Sequence, residues 1–355
     1  MIQNHSLTSP SSFQLPAKEL TMTSSISRRS LIQGTPVALA GVAVTLGGGA
    51  ASAVVTSPVK AALNGNAYGE WSSVTYLPLI SQKQNMANEQ DLRATPYSEF
   101  FDSDIAVPSA AAKSLRSGPL DLSLALTPSE ENLNRMIDPD YKTVDNGYAV
   151  LGEMMAYAQS RIMMPGVTTE MFKWWFTWHP LEKERYMLWF PQAHIDTTID
   201  DPTRLRDASL SYEKRLYGNP NRIQEWIGPS RLDAIIHFTD PAELGFDSDK
   251  LKKQGFTASA SAVCYAAPAP DIPFTLMVHI ARDTVDGLEL FSRYWIGAHP
   301  DMARFRNADK ASAMLKKIGF NEQVAESTAY EMSVHDLIEF NHLANILPSI
   351  HHKFG

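Results

Sequence analysis

The stretch that decides the fold is residues 274–296, which read FTLMVHIARDTVDGLELFSRYWI. Two largely apolar runs, at 274–281 and 288–296, flank the segment DTVDG at residues 283–287. Apolar runs on either side of an Asp-Gly pair are typical of a β-hairpin. The sequence therefore predicts two long antiparallel strands joined near Gly287.

Further strands and two helices are predicted around this hairpin. Short apolar runs bounded by Gly, Pro or Asp indicate strands at 148–157, 186–190 and 232–238. Apolar residues at helical spacing predict helices at 168–178 and 333–347, the second one stopped by Pro348. Antiparallel strands followed by a long C-terminal helix indicate an α+β fold, in which the sheet curls around the helix and leaves a cavity.

Composition and charge exclude several classes of protein. The 355 residues are 44% hydrophobic and 20% charged, so the chain can bury a large core. With 31 Lys and Arg against 39 Asp and Glu, the net charge of -8 has the wrong sign for general binding to nucleic acid. The lone Cys264 allows neither an internal disulfide nor a thiolate cluster, so any metal must be held by His and carboxylate side chains.

The first 53 residues resemble a twin-arginine export signal. The motif SRRSL at 27–31 precedes an apolar run at 36–46 and the small residues ASA at 51–53. The apolar run is too short to span a bilayer, so we expect no stable membrane insertion after processing. The prediction is export to the periplasm or the extracellular space; a disordered basic tail is the alternative.

A His-x3-Glu pair lies in the predicted C-terminal helix. His335 and Glu339 are four residues apart and therefore share one helix face, which suits chelation of one metal ion. An ordinary surface pair is the alternative interpretation. Composition alone does not choose a further ligand among the other histidines.

Several longer motifs resemble the 2,4-diacetylphloroglucinol hydrolase and phloretin hydrolase family. They are MPGVTTEMFKWWFTWHPLE at 164–182, PQAH at 191–194, FTDPAELGF at 238–246, SRYWIG at 292–297 and EFNHLA at 339–344. The motifs cover about 200 residues in the family's order, which is more specific than an isolated short pattern.

The resemblance implies a fold, a metal and a reaction. The fold would be a helix-grip, Bet v 1-like arrangement, and one zinc ion per chain would be held by four side chains. The implied zinc ligands are His194, Glu225, His335 and Glu339. Glu213 also falls between the first and third ligands and stays an alternative to Glu225. The implied reaction is hydrolysis of the carbon–carbon bond between a polyhydroxylated aromatic ring and an acyl group, which yields a phenol and a carboxylic acid.

The resemblance also implies catalytic residues. His279 would serve in a proton relay, and Tyr186 and Tyr294 would donate hydrogen bonds to substrate hydroxyls. From the sequence alone, His279 and Tyr294 could equally be satisfied core residues. Five tryptophans could line an aromatic pocket: Trp174, Trp175, Trp178, Trp189 and Trp226. The helical spacing of Trp174, Trp175 and Trp178 favours a core role for these three.

Two features depart from the family pattern and leave the substrate open. Thr197 stands where the resemblance implies an amide side chain, and no histidine occurs between His237 and His279. Two other functions stay open at this point: a non-haem iron oxygenase acting on a phenol, and a module that binds apolar ligands without catalysis.

The expected organisation and partners follow from these observations. We expect a signal segment at 1–53, an N-terminal arm or small domain at 54–140 and a metal-binding hydrolase domain at 141–355. The expected partner is a small phenolic ketone, with no nucleic acid. The family resemblance also implies a homodimer formed through the N-terminal region as a candidate assembly.

Overall fold

The computed structural model describes residues 71–73, 79–141 and 143–355. The predicted export signal at 1–53 lies outside these residues. Within the part described, no helix is both long and apolar enough to cross a membrane.

The described chain contains a two-stranded ribbon and a nine-stranded antiparallel sheet. The strands are β1 (Trp71–Ser73), β2 (Ala106–Pro108), β3 (Gly147–Val150), β4 (Met155–Met164), β5 (His194–Ile199), β6 (Asn221–Ile227), β7 (Ser230–Phe238), β8 (Phe256–Ser259), β9 (Ala262–Ala266), β10 (Ala269–Thr284) and β11 (Gly287–Gly297). β1 pairs with β2, whereas the large sheet has the order β3-β4-β11-β10-β9-β7-β6-β5, with β8 also paired to β10.

Helices pack against both faces of this sheet. They are α1 (Leu79–Leu92), α2 (Ser109–Arg116), α3 (Glu130–Arg135), α4 (Thr169–Trp178), α5 (Lys183–Trp189), α6 (Pro202–Arg206), α7 (Tyr212–Leu216), α8 (Pro241–Leu244), α9 (Ser248–Lys253), α10 (Asp309–Lys317) and α11 (Glu322–Phe354). Four 3-10 turns lie at Ser98–Phe100, Leu122–Leu124, His179–Leu181 and Pro300–Arg304.

The predicted hairpin is present and lies at the centre of the sheet. β10 and β11 pair from Thr275 opposite Ile296 to Thr284 opposite Gly287. Gly287 has a φ of 123°, and a Cβ atom there would lie 2.4 Å from the carbonyl oxygen of Met164. The turn therefore requires glycine for both its backbone conformation and the close approach of β4.

The long helix α11 packs against one face of the sheet, mainly on β3, β4 and β11. Met277 and Ala281 of β10 belong to the core cluster on this side, whereas Leu276 and Val278 belong to the cluster on the opposite face. Because side chains alternate along a strand, His279 lies on the α11 side. The predicted antiparallel sheet and C-terminal helix are confirmed; the helix-grip assignment stays a prediction.

The predicted strand at 186–190 is wrong, since these residues belong to α5 and its C-terminal cap, Phe190. Residues 186–190 are all buried, and a short continuous apolar run does not distinguish a buried helix from a buried strand. The predicted strand at 148–157 is divided into β3 and β4 by a turn at Gly152, whose φ is 69°.

The predicted helix end at Pro348 is also wrong. α11 continues through Pro348 to Phe354 and begins at Glu322, where Asn321 caps the helix through a side-chain bond from the Val324 amide. Ile350 is fully buried, and the ring of Phe354 lies 5.5 Å from the ring of Tyr97. Packing beyond the proline therefore offsets the backbone hydrogen bond that proline cannot make.

The described part of the N-terminal region packs into the main core. Leu92, Tyr97, Ile105 and Val107 belong to the same buried cluster as α11 and the inner face of the sheet. The expected boundary at 140 stays a prediction, because burial alone does not define a folding unit.

Candidate metal centre

His194 is presented at the start of β5, directly after the turn that follows α5. Its Nδ1 lies 2.9 Å from the carbonyl oxygen of Tyr186. A carbonyl only accepts, so Nδ1 carries the proton and the lone pair is on Nε2. Nε2 is buried and finds no hydrogen-bond partner among the described residues. The imidazole is thus held in the tautomer that a metal ligand needs.

Glu225 lies opposite His194 in the pairing of β5 with β6. Its Oε2 atom is 3.5 Å from His194 Nε2 and accepts a 2.6 Å hydrogen bond from the hydroxyl of Tyr186. The alternative candidate, Glu213, is exposed on α7. The structure therefore favours Glu225 over Glu213.

His335 and Glu339 lie one turn apart on the buried part of α11, as their spacing predicts. His335 Nε2 is 3.6 Å from Glu339 Oε2 and 3.7 Å from Glu225 Oε2. Glu339 Oε2 is also 3.5 Å from His194 Nε2. All four side chains are buried, so the interpretation of a surface pair does not apply.

The donor atoms of His194, Glu225 and His335 lie close enough together to hold one metal ion, and Glu339 lies beside both imidazoles. Neighbouring ligands around a tetrahedral zinc are about 3.4 Å apart when each bond is about 2.1 Å long. The imidazole-to-carboxylate distances of 3.5 to 3.7 Å are close to that value. His194, Glu225 and His335 also have ligand atoms that all lie within 4.8 Å of one another. Three of the ligands that the resemblance implies, His194, Glu225 and His335, are thus brought together as a possible metal site, with Glu339 next to them.

Electrostatics support the same interpretation. Burial raises the pKa of both carboxyl groups, that of Glu225 and, more strongly, that of Glu339. Burial also lowers the pKa of both imidazoles, that of His335 and, more strongly, that of His194. The charged forms are disfavoured because they lose their hydration. A divalent cation would replace that hydration and favour ionised carboxylates beside neutral imidazoles.

A second polar cluster lies beside the four donor atoms. The Tyr294 hydroxyl is 3.1 Å from His279 Nε2 and 3.5 Å from Glu339 Oε1. On the other side of its ring, His279 Nδ1 is 2.9 Å from the hydroxyl of Ser292. Burial lowers the pKa of His279 to about 3, so the imidazole is neutral near pH 7. A neutral imidazole between two hydroxyl groups can accept a proton at one nitrogen and donate one at the other.

Tyr186 has a different environment from the one expected. Its ring stacks on the ring of His194, with centroids 3.8 Å apart and planes 6° apart. Its hydroxyl donates to Glu225, so in this structure Tyr186 orients two candidate ligands. Its role as a donor to substrate hydroxyls stays a prediction.

The tryptophans divide into two groups. Trp189 donates from its indole nitrogen to the backbone oxygen of Glu339 at 3.1 Å. Trp174 and Trp178 stack on each other 4.8 Å apart, and Trp178 packs against Phe354 at the end of α11. The tryptophans of α4 therefore lie in the core or pack against it, whereas Trp189 of α5 also contacts the candidate metal centre.

Two polar residues near the site were missed from the sequence. Ser292 precedes Tyr294 by two positions on β11, a spacing that places both side chains on one face of a strand and could have indicated it. Asp336 is buried next to His335. Burial raises its pKa to about 6, and the nearby side chains of Ser160, Ser292 and Tyr294 oppose this shift.

Two imidazoles and two carboxylates are buried between an antiparallel sheet and a long helix, and three of these side chains form a possible metal site next to a second polar cluster. Comparison with known families agrees. Residues 126–352 match the DAPG hydrolase PhiG domain family, and the chain belongs to this family.

Individual relatives show the same relationship. The chain is 46% identical over 281 residues to a 2,4-diacetylphloroglucinol hydrolase of Pseudomonas protegens, an alignment that covers 79% of this chain and 92% of the relative. It is 45% identical over 281 residues to a 2,4-diacetylphloroglucinol hydrolase of a Pseudomonas species. This alignment covers 79% of this chain and 96% of the relative.

A more distant relative is a phloretin hydrolase of Eubacterium ramulus, which is 26% identical to this chain over 257 residues. The alignment covers 72% of this chain and 89% of the relative. The predicted family is therefore confirmed, and with it the prediction that the protein is an enzyme of the hydrolase class. This class is favoured over the oxygenase and the binding module.

Proposed function

We propose that the protein hydrolyses the carbon–carbon bond between a polyhydroxylated aromatic ring and an acyl group. One zinc ion per chain would be held by His194, Glu225, His335 and Glu339. The observation that carries the proposal is that each of the two buried imidazoles lies 3.5 to 3.7 Å from both buried carboxylates, in a member of the DAPG hydrolase PhiG domain family. The names of the relatives, which specify hydrolases of 2,4-diacetylphloroglucinol and phloretin, support a small acylated phenol as substrate.

Zinc, when bound, would supply Lewis acidity to the acyl carbonyl and lower the pKa of a water molecule. Two of its four ligands are anionic, which offsets the charge of the ion and makes its effect on water weaker than that of a site with neutral ligands only. A protein group that moves protons is therefore needed, and His279 is the candidate because its ring lies between the hydroxyl groups of Ser292 and Tyr294.

The reaction conserves atoms and charge with water as the only co-substrate. Water adds its oxygen to the acyl carbon, and the ring–acyl bond breaks with its electron pair left on the ring carbon. Hydroxyl groups ortho and para to that carbon stabilise the pair through the keto tautomer. A proton then goes to the ring carbon, and the products are a phenol and a carboxylic acid.

The chain's own residues would move the protons in these steps. The hydroxyl of Tyr294 lies between His279 and Glu339, so it can relay a proton between the imidazole and the substrate side of the site. Ser292 fixes the orientation of His279 through Nδ1. Tyr186 holds Glu225 and stacks on His194, and thereby keeps the two ligands from β5 and β6 in place.

We also propose the helix-grip, Bet v 1-like class for the fold, supported by the packing of α11 on one face of the sheet. The proposed organisation is a signal at 1–53, an N-terminal region at 54–140 and a hydrolase domain at 141–355. Export by the twin-arginine route is supported by SRRSL at 27–31 and favours breakdown of a phenolic ketone outside the cytoplasm. A homodimer remains the proposed assembly.

The function is tested by metal analysis together with a product screen. Purified protein is incubated with mono- and diacylphloroglucinols and with dihydrochalcones, and the products are identified by mass spectrometry. We expect about one zinc per chain and release of a deacylated phenol with its acid. Protein that contains stoichiometric zinc but cleaves none of these compounds would refute the proposed substrate class. Activity that requires iron and dioxygen would refute the hydrolytic mechanism.

A further inference from the structure

Helix α1 lies outside the family-matched residues, yet it contacts the turn that presents His194. Asn88 is the contact residue and is 1% exposed. Its amide nitrogen donates two hydrogen bonds, each 2.8 Å long, to the carbonyl oxygens of Pro191 and His194. Because both partners can only accept, the orientation of the amide is fixed, and both of its N–H groups are used on one turn.

The other end of the same amide is also held. Asn88 Oδ1 accepts a 3.0 Å hydrogen bond from Gln84, one turn earlier on α1. Gln84 in turn accepts a 3.2 Å hydrogen bond from the indole of Trp226, the residue after Glu225. A chain of two side-chain amides therefore joins the backbone at His194 to the strand that carries Glu225.

A second contact from the N-terminal region reaches the start of α5. The Tyr97 hydroxyl donates a 2.6 Å hydrogen bond to Glu182 and accepts a 2.8 Å hydrogen bond from Arg185. α5 carries Tyr186, whose carbonyl fixes the tautomer of His194. The N-terminal region thus contacts α5 at its beginning and the turn just beyond its end.

A buried asparagine is costly unless its hydrogen bonds are made, and an apolar residue at the same position would stabilise packing without that requirement. The buried side of α1 nevertheless carries Ser81 and Asn88 in addition to Leu92. The hydrogen bonds of the Asn88 amide go to the backbone around His194 and to Gln84. Gln84 in turn is bonded to Trp226, the residue after Glu225. Its contacts are therefore those of a residue that orients the ligands.

We propose that Asn88 is a positioning residue of the metal centre, and that α1 thereby helps to hold the candidate metal ligands in place. This inference rests on the proposed function, because it concerns the residues proposed to bind zinc. The Asn88 amide fixes the backbone at His194. Through Gln84 it also fixes the position of Trp226, which follows Glu225 in β6. Residues that orient metal ligands in this way commonly change metal affinity by about 10- to 100-fold when they are replaced.

The test compares Asn88→Asp and Asn88→Ala with the control Gln90→Glu. Asn88→Asp keeps the shape but replaces two donors by a carboxylate that repels both carbonyl oxygens. Gln90 is exposed on the same helix, so Gln90→Glu makes the same change of charge without the contacts. Zinc affinity is measured by competition with a chromogenic chelator, the ligand field by the visible spectrum of the Co²⁺ form, and stability by urea unfolding of the metal-free protein.

We expect both Asn88 variants to bind zinc about 10- to 100-fold more weakly and to show an altered Co²⁺ spectrum, with Gln90→Glu equal to wild type. Excess zinc should restore part of their turnover. A wild-type zinc affinity and Co²⁺ spectrum, combined with lower stability alone, would overturn the proposal. If both Asn88 variants fail to fold, Gln84→Leu at a half-buried position decides it: a weaker zinc affinity supports the proposal, and an unchanged one overturns it.

The outcome can be separated from failure of the proposed function. If wild-type protein binds no zinc or cleaves no acylphenol, the proposed function fails before any variant is compared. If wild type binds zinc and is active while the Asn88 variants match it in zinc affinity and spectrum, only the positioning role fails.

Discussion

The Tyr186 hydroxyl donates a 2.6 Å hydrogen bond to Oε2 of Glu225, and this contact joins helix α5 to strand β6 inside the candidate metal centre. The same tyrosine stacks on His194. One side chain therefore contacts candidate ligands from two strands. Its ring and its hydroxyl can be tested separately, because phenylalanine keeps the ring alone.

Tyr186→Phe is expected to retain the stacking on His194 and to lose the hydrogen bond to Glu225. The carboxylate then loses a partner that holds its orientation, and we expect zinc affinity and kcat/KM to fall by about 10-fold or more. Chelator competition and steady-state kinetics check this. Equal zinc affinity in variant and wild type would show that the hydrogen bond does not orient the ligand.

Glu225→Gln and Glu213→Gln form a matched pair that tests the second ligand. Glu225 is buried 3.5 Å from His194 Nε2, whereas Glu213 is exposed on α7. We expect Glu225→Gln to drop from about one zinc per chain to nearly none after dialysis, and Glu213→Gln to match wild type. The measurement is metal analysis of the two dialysed proteins. Loss of zinc from Glu213→Gln but not from Glu225→Gln would reassign the second ligand to Glu213.

Tyr294→Phe is expected to separate proton transfer from metal binding. The variant loses the hydroxyl between His279 and Glu339 but no zinc ligand. We expect kcat to fall by about 100- to 10,000-fold while the zinc content stays near one per chain. A variant with wild-type kcat would remove Tyr294 from the proposed relay. Ser292→Ala, which removes only the partner of His279 Nδ1, should have a smaller effect of the same kind.

His179 predicts a dependence of stability on pH. Burial, together with the nearby charge of Arg185, lowers the pKa of this imidazole to about 3, whereas the unfolded chain protonates near 6.5. Between these values the unfolded state binds the extra proton, so the contribution of His179 to stability is complete above pH 6.5 and is lost as the pH falls. The expected loss from pH 7 to pH 5 is about 2 kcal/mol.

The measurement compares wild type with His179→Asn by urea unfolding of the metal-free proteins at several pH values. The other histidines are common to both proteins, so their contributions cancel in the difference. Asparagine keeps a donor for the carbonyl of Trp175, which His179 Nδ1 contacts at 2.9 Å. A free-energy difference that stays constant between pH 7 and pH 5 would contradict the buried, neutral state of His179.

The sequence was most informative where local spacing determines the outcome. The Asp-Gly turn predicted the β10–β11 hairpin, and the four-residue interval predicted that His335 and Glu339 lie on one helix face. Both are short-range properties of a strand turn and a helix. The pairing of His194 with Glu225 depends on the register between β5 and β6, so only the family resemblance, and not spacing, led to Glu225.

The errors have a common physical origin in tertiary packing. Residues 186–190 are buried on all sides, so their apolar run contains no period that would separate helix from strand. α11 continues past Pro348 because Phe354 packs on Tyr97, a contact between distant parts of the chain. Asn88 gave no signal in the sequence for the same reason, since its two backbone partners lie more than a hundred residues away.

The most direct test of the central claim is a single turnover of a monoacylated phloroglucinol in H₂¹⁸O without dioxygen, using protein loaded only with zinc. Mass spectrometry of both products follows the oxygen. The account predicts complete cleavage, with ¹⁸O incorporated in the carboxyl group of the released acid, and loss of this reaction in Glu339→Gln. Intact substrate with zinc bound, or cleavage that occurs only after iron and dioxygen are added, would contradict it.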